Sequence, residues 1–372
     1  MKDKKKEIYF ITRHAIVNYG SILQAYATQE FFKELGYRSY IIDYISKEEK
    51  VLRSLKAFSR RYRNPLKKLI YIAVKLPDEW IKTVKFKKIR KKYLKTTKRF
   101  DCLADLKAHD FSDSYLCAGS DQLWGYMPSG KIDPAYFLDF GTEQNKYFSY
   151  SASLGRTDFD EYYKQDLNGY LDKFSFLTVR EQSGVSFIKE NTPYSAKHVL
   201  DPTLTLDRKV WLDFADVKIK EKPYLLLYPL RRNPFIDRYA KAVAKTYGLK
   251  IIRISTSVYD IFRFGKKKIL KDPKTVLSLF KNAECVISDS FHATVFSLVF
   301  NKKFVDILPK TTHERMTDLL DLVGLRDRIV TDCTKESIAF MQEEIDYGRV
   351  NEILERKREE SGRILQTELK NL

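Results

Sequence analysis

Polar side chains capable of acid–base chemistry interrupt an apolar stretch, ECVISDSFHATVFSLVF, at residues 284–300. The run CVI predicts a buried strand, and the run ATVFSLVF predicts a buried helix. Between the two runs lie Ser288, Asp289, Ser290 and His292. Open α/β sheets bind ligands beyond the carboxyl ends of their strands, and a histidine there can exchange a proton near neutral pH. A hydrogen-bonded histidine of the core fits the same pattern.

Other polar residues also follow runs that predict strands. They are Arg13, His14 and Asn18 near the start, Ser120 and Asp121 after SYLCA, Arg180 after FLTV, and Asp201 after HVL. Because the carboxyl ends of parallel strands meet at one edge of a sheet, we expect these residues to line a ligand site. For Arg180, an ion pair with Glu181 or another acid is an equally good reading.

The elements that must position these residues alternate between strand and helix. Residues 7–13 predict a strand, the pattern from Gly20 to Gly36 a helix, and residues 40–44 a second strand. A second alternation begins at Pro223. This order predicts an α/β protein with two Rossmann-like, doubly wound domains facing each other across a cleft. We place the first domain at residues 1–205, the second at 206–345 and a C-terminal helix at 346–372.

The charge is concentrated in one segment. The chain has 372 residues and a net charge of +19, and residues 50–99 hold 19 Lys or Arg against two acids, which is +17. We therefore expect a basic helical insertion at about residues 50–100. Such a segment suits an anionic membrane surface, although a solvated helical hairpin or a clamp for acidic polysaccharide also fits. Nucleic acid is not an expected partner, because no known binding motif accompanies the charge.

Composition also predicts the compartment. The chain has no apolar run of about 18 residues that would span a membrane, and its N-terminus lacks the apolar core of a signal peptide. The cysteines, Cys102, Cys117, Cys285 and Cys333, are far apart. This spacing argues against structural zinc and disulfides. We expect a cytoplasmic protein, with peripheral attachment to the inner face of the plasma membrane as a further hypothesis.

Six stretches together resemble the polysaccharide pyruvyl transferase family. In chain order they are NYGSILQAYATQEFFKELGY, AGSDQLW, SYSASLG, TVREQSG, VLDPTLTL and SDSFHATVFSLVFNKKF. The resemblance covers about residues 8–325 and implies a glycosyltransferase-B-like fold. It also implies transfer of a pyruvyl group from phosphoenolpyruvate to sugar hydroxyls as a ketal, in exopolysaccharide or capsule biosynthesis. The implied acceptor is a sugar or a lipid-linked oligosaccharide, and no metal or cofactor is expected.

The resemblance also implies roles for individual residues. The catalytic pair would be His292 and Arg180, with the donor bound in the second domain at Ser290 and Phe291. Some family members carry Arg-Leu-His where this chain has Ser290-Phe291-His292. Arg315 could replace the missing arginine, with His313 and Arg326 as rivals.

For the acceptor side, in the first domain, we select Asn18, Gln24 and Asp121, because short amides and carboxylates suit sugar hydroxyls. Two alternatives to this function remain at the level of sequence. One is a nucleotide-sugar-dependent glycosyltransferase of the same fold, because fold does not fix chemistry. The other is a non-catalytic protein that binds polyanions or membranes.

Overall fold

A computed structural model describes residues 6–50, 64–127, 129–221, 223–309 and 314–372. The chain forms two compact units. Unit 1 comprises Met1–Leu206 together with Arg358–Leu372, and unit 2 comprises Asp207–Lys357. The first part of the basic insertion, residues 51–63, lies outside the described residues.

Unit 1 contains a five-stranded parallel sheet in the order β3-β2-β1-β4-β6. A second parallel sheet has four short strands in the order β5-β7-β8-β9. The strands are β1 (Glu7–Ile11), β2 (Arg38–Tyr44), β3 (Thr96–Phe100), β4 (Tyr115–Ala118), β5 (Asp121–Gln122), β6 (Lys146–Ser149), β7 (Ala152–Ser153), β8 (Leu177–Val179) and β9 (Ala196–His198). Apolar side chains of both sheets are buried in the cores of this unit, which explains the apolar runs.

The helices of unit 1 connect these parallel strands. They are α1 (Tyr19–Glu34), α2 (Pro65–Tyr93), α3 (Leu103–Lys107), α4 (Glu161–Leu171), α5 (Gln182–Asn191) and α6 (Pro202–Thr205). Helix α1 begins where the side chain of Asn18 accepts a hydrogen bond from the Gly20 N–H. It ends before Gly36, whose φ of 89° suits glycine.

Unit 2 has one five-stranded parallel sheet in the order β12-β11-β10-β13-β14. Its strands are β10 (Tyr224–Tyr228), β11 (Lys250–Ser255), β12 (Lys266–Ile269), β13 (Cys285–Ser288) and β14 (Lys303–Asp306). Its helices are α7 (Arg208–Phe214), α8 (Pro234–Thr246), α9 (Pro273–Lys281), α10 (Phe291–Val299), α11 (Glu314–Val323) and α12 (Lys335–Phe340). A final helix, α13 (Tyr347–Lys370), begins in unit 2 and ends in unit 1.

The main sheets of both units have the same arrangement. Each places its first strand at the centre, adds two strands on one side in chain order, and then adds the later strands on the other side. This is the strand order of Rossmann-like domains, and the reversal creates a ligand-binding crevice between the first strand and its later neighbour. The predicted α/β class with parallel sheets is confirmed.

The basic insertion is helical only in part. Helix α2 accounts for residues 65–93, but Thr96–Phe100 forms strand β3 at the edge of the main sheet. The sequence TTKRF has little apolar character, and its pairing with β2 supplies the order that its composition does not. None of the helices in the described ranges combines the length and apolar character needed to cross a bilayer.

Candidate functional site

Arg180 lies in a buried ionic network at the carboxyl end of β8. Its side chain is only 1% exposed. The guanidinium donates from Nε to Glu181 at 3.0 Å and from Nη1 to Asp201 at 2.8 Å. A carboxylate oxygen of Asp121 lies 3.9 Å from Nη2. Arg180 therefore forms ion pairs with Glu181 and Asp201, as one of the two interpretations of the sequence expects.

The charges of this network have opposite effects on the guanidinium. Burial alone lowers the pKa of Arg180, but the carboxylates of Glu181 and Asp201, with Asp121, outweigh burial and raise that pKa above its usual value. Arg180 is therefore a permanent cation facing three acids. A donor anion would have to compete with these carboxylates for the guanidinium, and the catalytic role of Arg180 stays a prediction.

Two predicted acceptor residues lie in the same hydrogen-bonded network. Asp121 accepts a hydrogen bond from Ser21 Oγ at 2.7 Å, and Gln24 Nε2 donates to Thr12 Oγ1 at 2.8 Å. Thr12 in turn donates to the Ser120 carbonyl. Asp121 has a φ of 91°, which non-glycine residues rarely adopt. Such strain is often found at functional sites.

Gln24 leaves one acceptor unused. Its side chain is fully buried, and its Oε1 accepts no hydrogen bond from any described residue. A buried carbonyl oxygen without a donor is costly, so a ligand hydroxyl would be favoured there. Asn18 is half-buried and caps α1, so its side-chain oxygen already accepts a hydrogen bond. These three residues are on or beside the ends of β1 and β4.

In unit 2, His292 occupies the first turn of α10, directly after β13. The chain turns there because Ser288 Oγ accepts from the Ser290 N–H at 3.0 Å and donates to the Tyr228 carbonyl at 2.6 Å. Ser290 is the N-terminal cap residue of α10, but its side chain makes no capping bond. His292 is 6% exposed. The structure thus places the histidine at the head of a buried helix, as the sequence predicts.

The other predicted donor residues lie close to this turn. The Phe291 ring meets the His292 ring edge-on at 5.2 Å between centroids. The guanidinium carbon of Arg315, in the first turn of α11, lies 5.5 Å from the centroid of Phe291. Of its rivals, Arg326 forms an exposed ion pair with Asp321. His313 lies outside the described residues.

Two buried acids complete the unit 2 cluster. Asp289 accepts from the backbone N–H groups of Leu230 at 2.6 Å and Arg231 at 3.3 Å. Asp306 ends β14 and accepts from Thr294 Oγ1 at 2.6 Å. Burial, reinforced by the charge of Asp289, raises the pKa of Asp306 to about 8. Asp306 is therefore mostly protonated at neutral pH.

The structure groups the predicted residues within each unit. In unit 1 it joins Gln24 and Asp121 with Arg180, and in unit 2 it joins Ser290–His292 with Arg315. Sequence reasoning missed Thr12, Ser21 and Asp306. Only Asp306 had a usable signal, since it directly follows the apolar residues Phe304 and Val305 at the end of a strand. Within the described ranges, no group of three or more His, Cys, Asp or Glu side chains is placed to hold a metal ion.

Removing the cation from the unit 1 network should destabilise the fold. Arg180→Leu leaves the acids buried without their counter-charge, so we expect a loss of about 3–5 kcal/mol in unfolding free energy. Urea unfolding followed by tryptophan fluorescence measures it. The control is Lys33→Leu, which removes the exposed pair with Glu30 and should cost at most about 1 kcal/mol. Equal, small losses in both variants would contradict a structural role for Arg180.

Asp306 should make stability depend on pH. Its folded pKa of about 8 exceeds the ordinary value of 3.8, so folding favours the protonated acid. Its contribution to stability is complete below about pH 4 and is lost as the pH rises to about 8. Asp306→Asn keeps a neutral acceptor. Its unfolding free energy in urea should therefore rise relative to that of the wild type as the pH increases over this range. The exposed control Asp213→Asn should show the same pH dependence of unfolding free energy as the wild type. The same pH dependence in Asp306→Asn would refute the assignment.

Solved structures resemble the chain in fold. UDP-N-acetylglucosamine 2-epimerase from Rickettsia bellii aligns with a TM-score of 0.51 and 14% identity, covering 98% of this chain and 96% of the epimerase. The Anabaena protein HepE, in complex with UDP and glucose, aligns with a TM-score of 0.50 and 8% identity, covering 99% of this chain and 100% of HepE. These similarities establish a glycosyltransferase-B-like fold.

Comparison at the level of sequence identifies the family. No curated protein matches the chain. The model of the family described as polysaccharide pyruvyl transferase matches residues 18–308. This span contains helix α1, Arg180 with its three acids, and the His292 turn, whereas Thr12 and Arg315 lie outside it. The chain belongs to the polysaccharide pyruvyl transferase family.

Proposed function

We propose that this protein transfers a pyruvyl group from phosphoenolpyruvate to two hydroxyls of a sugar, forming a cyclic ketal. The pathway would be the biosynthesis of a cell-surface polysaccharide, such as a capsule or exopolysaccharide. Family membership supports the reaction class. The observation that carries the proposal within the chain is the position of His292, on the first turn of α10 beside the point where the sheet order reverses.

The reaction requires a proton donor and a proton acceptor. Protonation of the methylene carbon of phosphoenolpyruvate generates positive character at C2, and one sugar hydroxyl adds there and loses its proton. The C2–O bond to phosphate then breaks, a second hydroxyl closes the ketal, and its proton leaves with the phosphate. We assign to His292 the delivery of the first proton and the acceptance of a hydroxyl proton.

The donor carries a carboxylate and a phosphate, so its site needs positive charge. The N-terminus of α10 offers backbone N–H groups, and Arg315 of α11 contacts the ring of Phe291, the first residue of α10. Arg180 already faces three acids. We therefore assign the main cationic contact to Arg315, with Ser290 and Phe291 shaping the site, and give Arg180 a positioning role.

For the acceptor, we assign hydroxyl contacts to Gln24, Asp121 and Asn18. The Oε1 atom of Gln24 supports this assignment, because it is a buried acceptor without a donor among the described residues. Asp121 could accept a further hydrogen bond from a hydroxyl. Asn18 contributes its amide nitrogen, since its oxygen caps α1.

Replacing His292 should abolish most of the activity without unfolding the protein. His292→Gln retains a polar side chain of similar size but cannot transfer the proton, so we expect turnover to fall at least about 100-fold. The assay is phosphate release from phosphoenolpyruvate across a panel of acceptor glycans, with thermal melting as the check on folding.

The matched control is His109→Gln, which changes a histidine that packs on Phe111 in unit 1. Its turnover should equal that of the wild type. Near-normal turnover in His292→Gln would refute the catalytic assignment. Acceptor-dependent release of nucleoside diphosphate from a nucleotide sugar, without phosphate release from phosphoenolpyruvate, would favour a glycosyltransferase instead.

We also propose that α2 attaches the protein to an anionic membrane surface. The exposed large apolar residues of this helix are Leu66, Leu69, Ile70, Val74, Leu76, Trp80, Ile81 and Val84. At 3.6 residues per turn they fall within an arc of about 160°. The buried residues Asp78, Phe86 and Ile89 face the opposite side. An apolar stripe therefore points away from the side of the helix that packs on the protein.

The charge of α2 indicates which surface would accept this stripe. The helix carries ten Lys or Arg against two acids, and each cation near an anionic leaflet contributes about 1 kcal/mol. Lysines at both ends flank the apolar stripe, as in helices that lie in the membrane interface. Such docking would bring a lipid-linked acceptor to the enzyme. Nucleic acid remains outside the proposal.

Shortening the apolar stripe should weaken membrane binding. Leu69→Ala with Trp80→Ala should lower affinity for vesicles containing phosphatidylglycerol at least about tenfold, since each buried methylene contributes about 0.8 kcal/mol. Vesicle sedimentation at low and high salt measures it. Tyr162→Ala, which changes an exposed aromatic residue of α4, is the matched control. Binding that ignores both lipid charge and salt would contradict docking through α2, and turnover of a soluble acceptor should not change.

A further inference from the structure

A positively charged pocket lies at the head of α8 in unit 2, apart from the residues assigned above. Its volume is about 440 Å³. It is lined by Arg232, Asn233, Pro234, Asp237, Arg238, Lys241 and Arg263, which we call the α8 pocket. Four of these side chains are cations and one is an acid. Such a group of like charges around a cavity creates a positive potential that attracts anions.

The acid in the α8 pocket does not neutralise the exposed cations. Asp237 accepts from Arg253 at 2.5 Å and from Arg263 at 3.3 Å, and Arg253 is almost fully buried. In the part of the chain that the structure describes, no ion pair involves Arg232, Arg238 or Lys241. Three cations thus remain for a ligand.

Aromatic and helix-capping contacts position the residues around the α8 pocket. Lys241 Nζ and the Arg253 guanidinium carbon lie 4.5 Å and 4.6 Å from the centroid of Phe264, so this ring holds both cations. Asn233 caps α8 by accepting from the Phe235 N–H at 2.9 Å. The first turn of this 13-residue helix adds its own positive end to the pocket. The pocket therefore combines a lysine held against an aromatic ring with a helix N-terminus.

The α8 pocket shares a sheet edge with the His292 turn. It follows β10, and the His292 turn follows β13, which is the neighbour of β10 with Tyr228 opposite Ser288. Asp289 joins the two loops by accepting from the Leu230 and Arg231 N–H groups. The strand order reverses between β10 and β13, where doubly wound sheets bind ligands. The pocket also includes Arg263, which follows β11 on the other side of β10, so it lies at the same edge of the sheet as the proposed donor site without sharing its residues.

We propose that the α8 pocket binds a diphosphate group, that of a nucleotide or lipid carrier of sugars. Three cations match the charge of a diphosphate, and about 440 Å³ is far more than the roughly 30 Å³ that one water molecule occupies in the liquid. The exposed Ile261 and Phe262 precede Arg263 and offer apolar surface to the rest of a carrier. The carrier role rests on the proposed function, whereas the diphosphate site does not.

Calorimetric titration of the full chain tests the site. The probes are pyrophosphate, UDP, geranyl diphosphate, inorganic phosphate and phosphoenolpyruvate. The double variant Arg232→Gln with Arg238→Gln removes two exposed cations of the pocket and should weaken diphosphate binding at least about tenfold, because charge-assisted hydrogen bonds are the strong ones. Lys245→Gln, on the same helix but outside the lining, should change binding by at most about twofold.

Each outcome has one meaning. Tighter binding of UDP than of geranyl diphosphate would identify a nucleoside carrier, the reverse order a lipid carrier, and both support the site. Failure of every diphosphate to bind, or equal binding by the double variant, would overturn it. Loss of phosphoenolpyruvate binding alone in the double variant would also overturn it and make the pocket part of the donor site. Normal turnover in His292→Gln with diphosphate binding intact would refute only the proposed reaction.

Discussion

The carboxylates of Glu181 and Asp201 can be buried only because the guanidinium of Arg180 lies between them. An isolated buried charge is unstable, whereas a cation with several acceptors in hydrogen-bonding geometry is tolerated. The network joins the ends of β8 and β4 through Ser120 and reaches the start of α1 through Ser21 and Asp121. The polar edge of unit 1 therefore depends on one side chain, and the predicted acceptor residues are held in place by the same contacts.

In unit 2 a buried acid is stabilised by keeping its proton and not by a counter-charge. Asp306 has a hydroxyl donor and, among the described residues, no cation as its bonded partner, so its proton is retained instead of its charge being paired. Asp289 is held by two backbone N–H groups of the loop after β10. The carboxylate of Asp289 thus connects two adjacent loops, and His292 lies in the first turn of α10, directly after one of them. The two units share a topology but differ in the electrostatics of their ligand edges.

Much of this arrangement was predictable from the sequence, because local pattern determined it. The run YLLLY is uniformly apolar and lies between Pro223 and Pro229, and it forms β10 where the second alternation was predicted to begin. Strand β3 was missed because TTKRF acquires its order from β2. The rule of strand ends correctly grouped Asp121 with Arg180. It also placed Asp201 at this edge, and the sequence offered Glu181 as an ion-pair partner, but neither gave the geometry around Arg180, because Asp121 and Asp201 approach the guanidinium only after the chain has folded.

Helix α13 makes unit 1 discontinuous along the chain. Leu365 and Leu369 are buried in its core, and Ser361 Oγ accepts from the Leu200 N–H at 3.0 Å across 161 residues of sequence. A ribosome therefore releases the whole of unit 2 before it supplies the last piece of unit 1. During synthesis the apolar surface that receives these leucines stays uncovered, and closing such a long loop delays its burial. The final turns of α13 thus act as the closing step in the folding of the N-terminal unit.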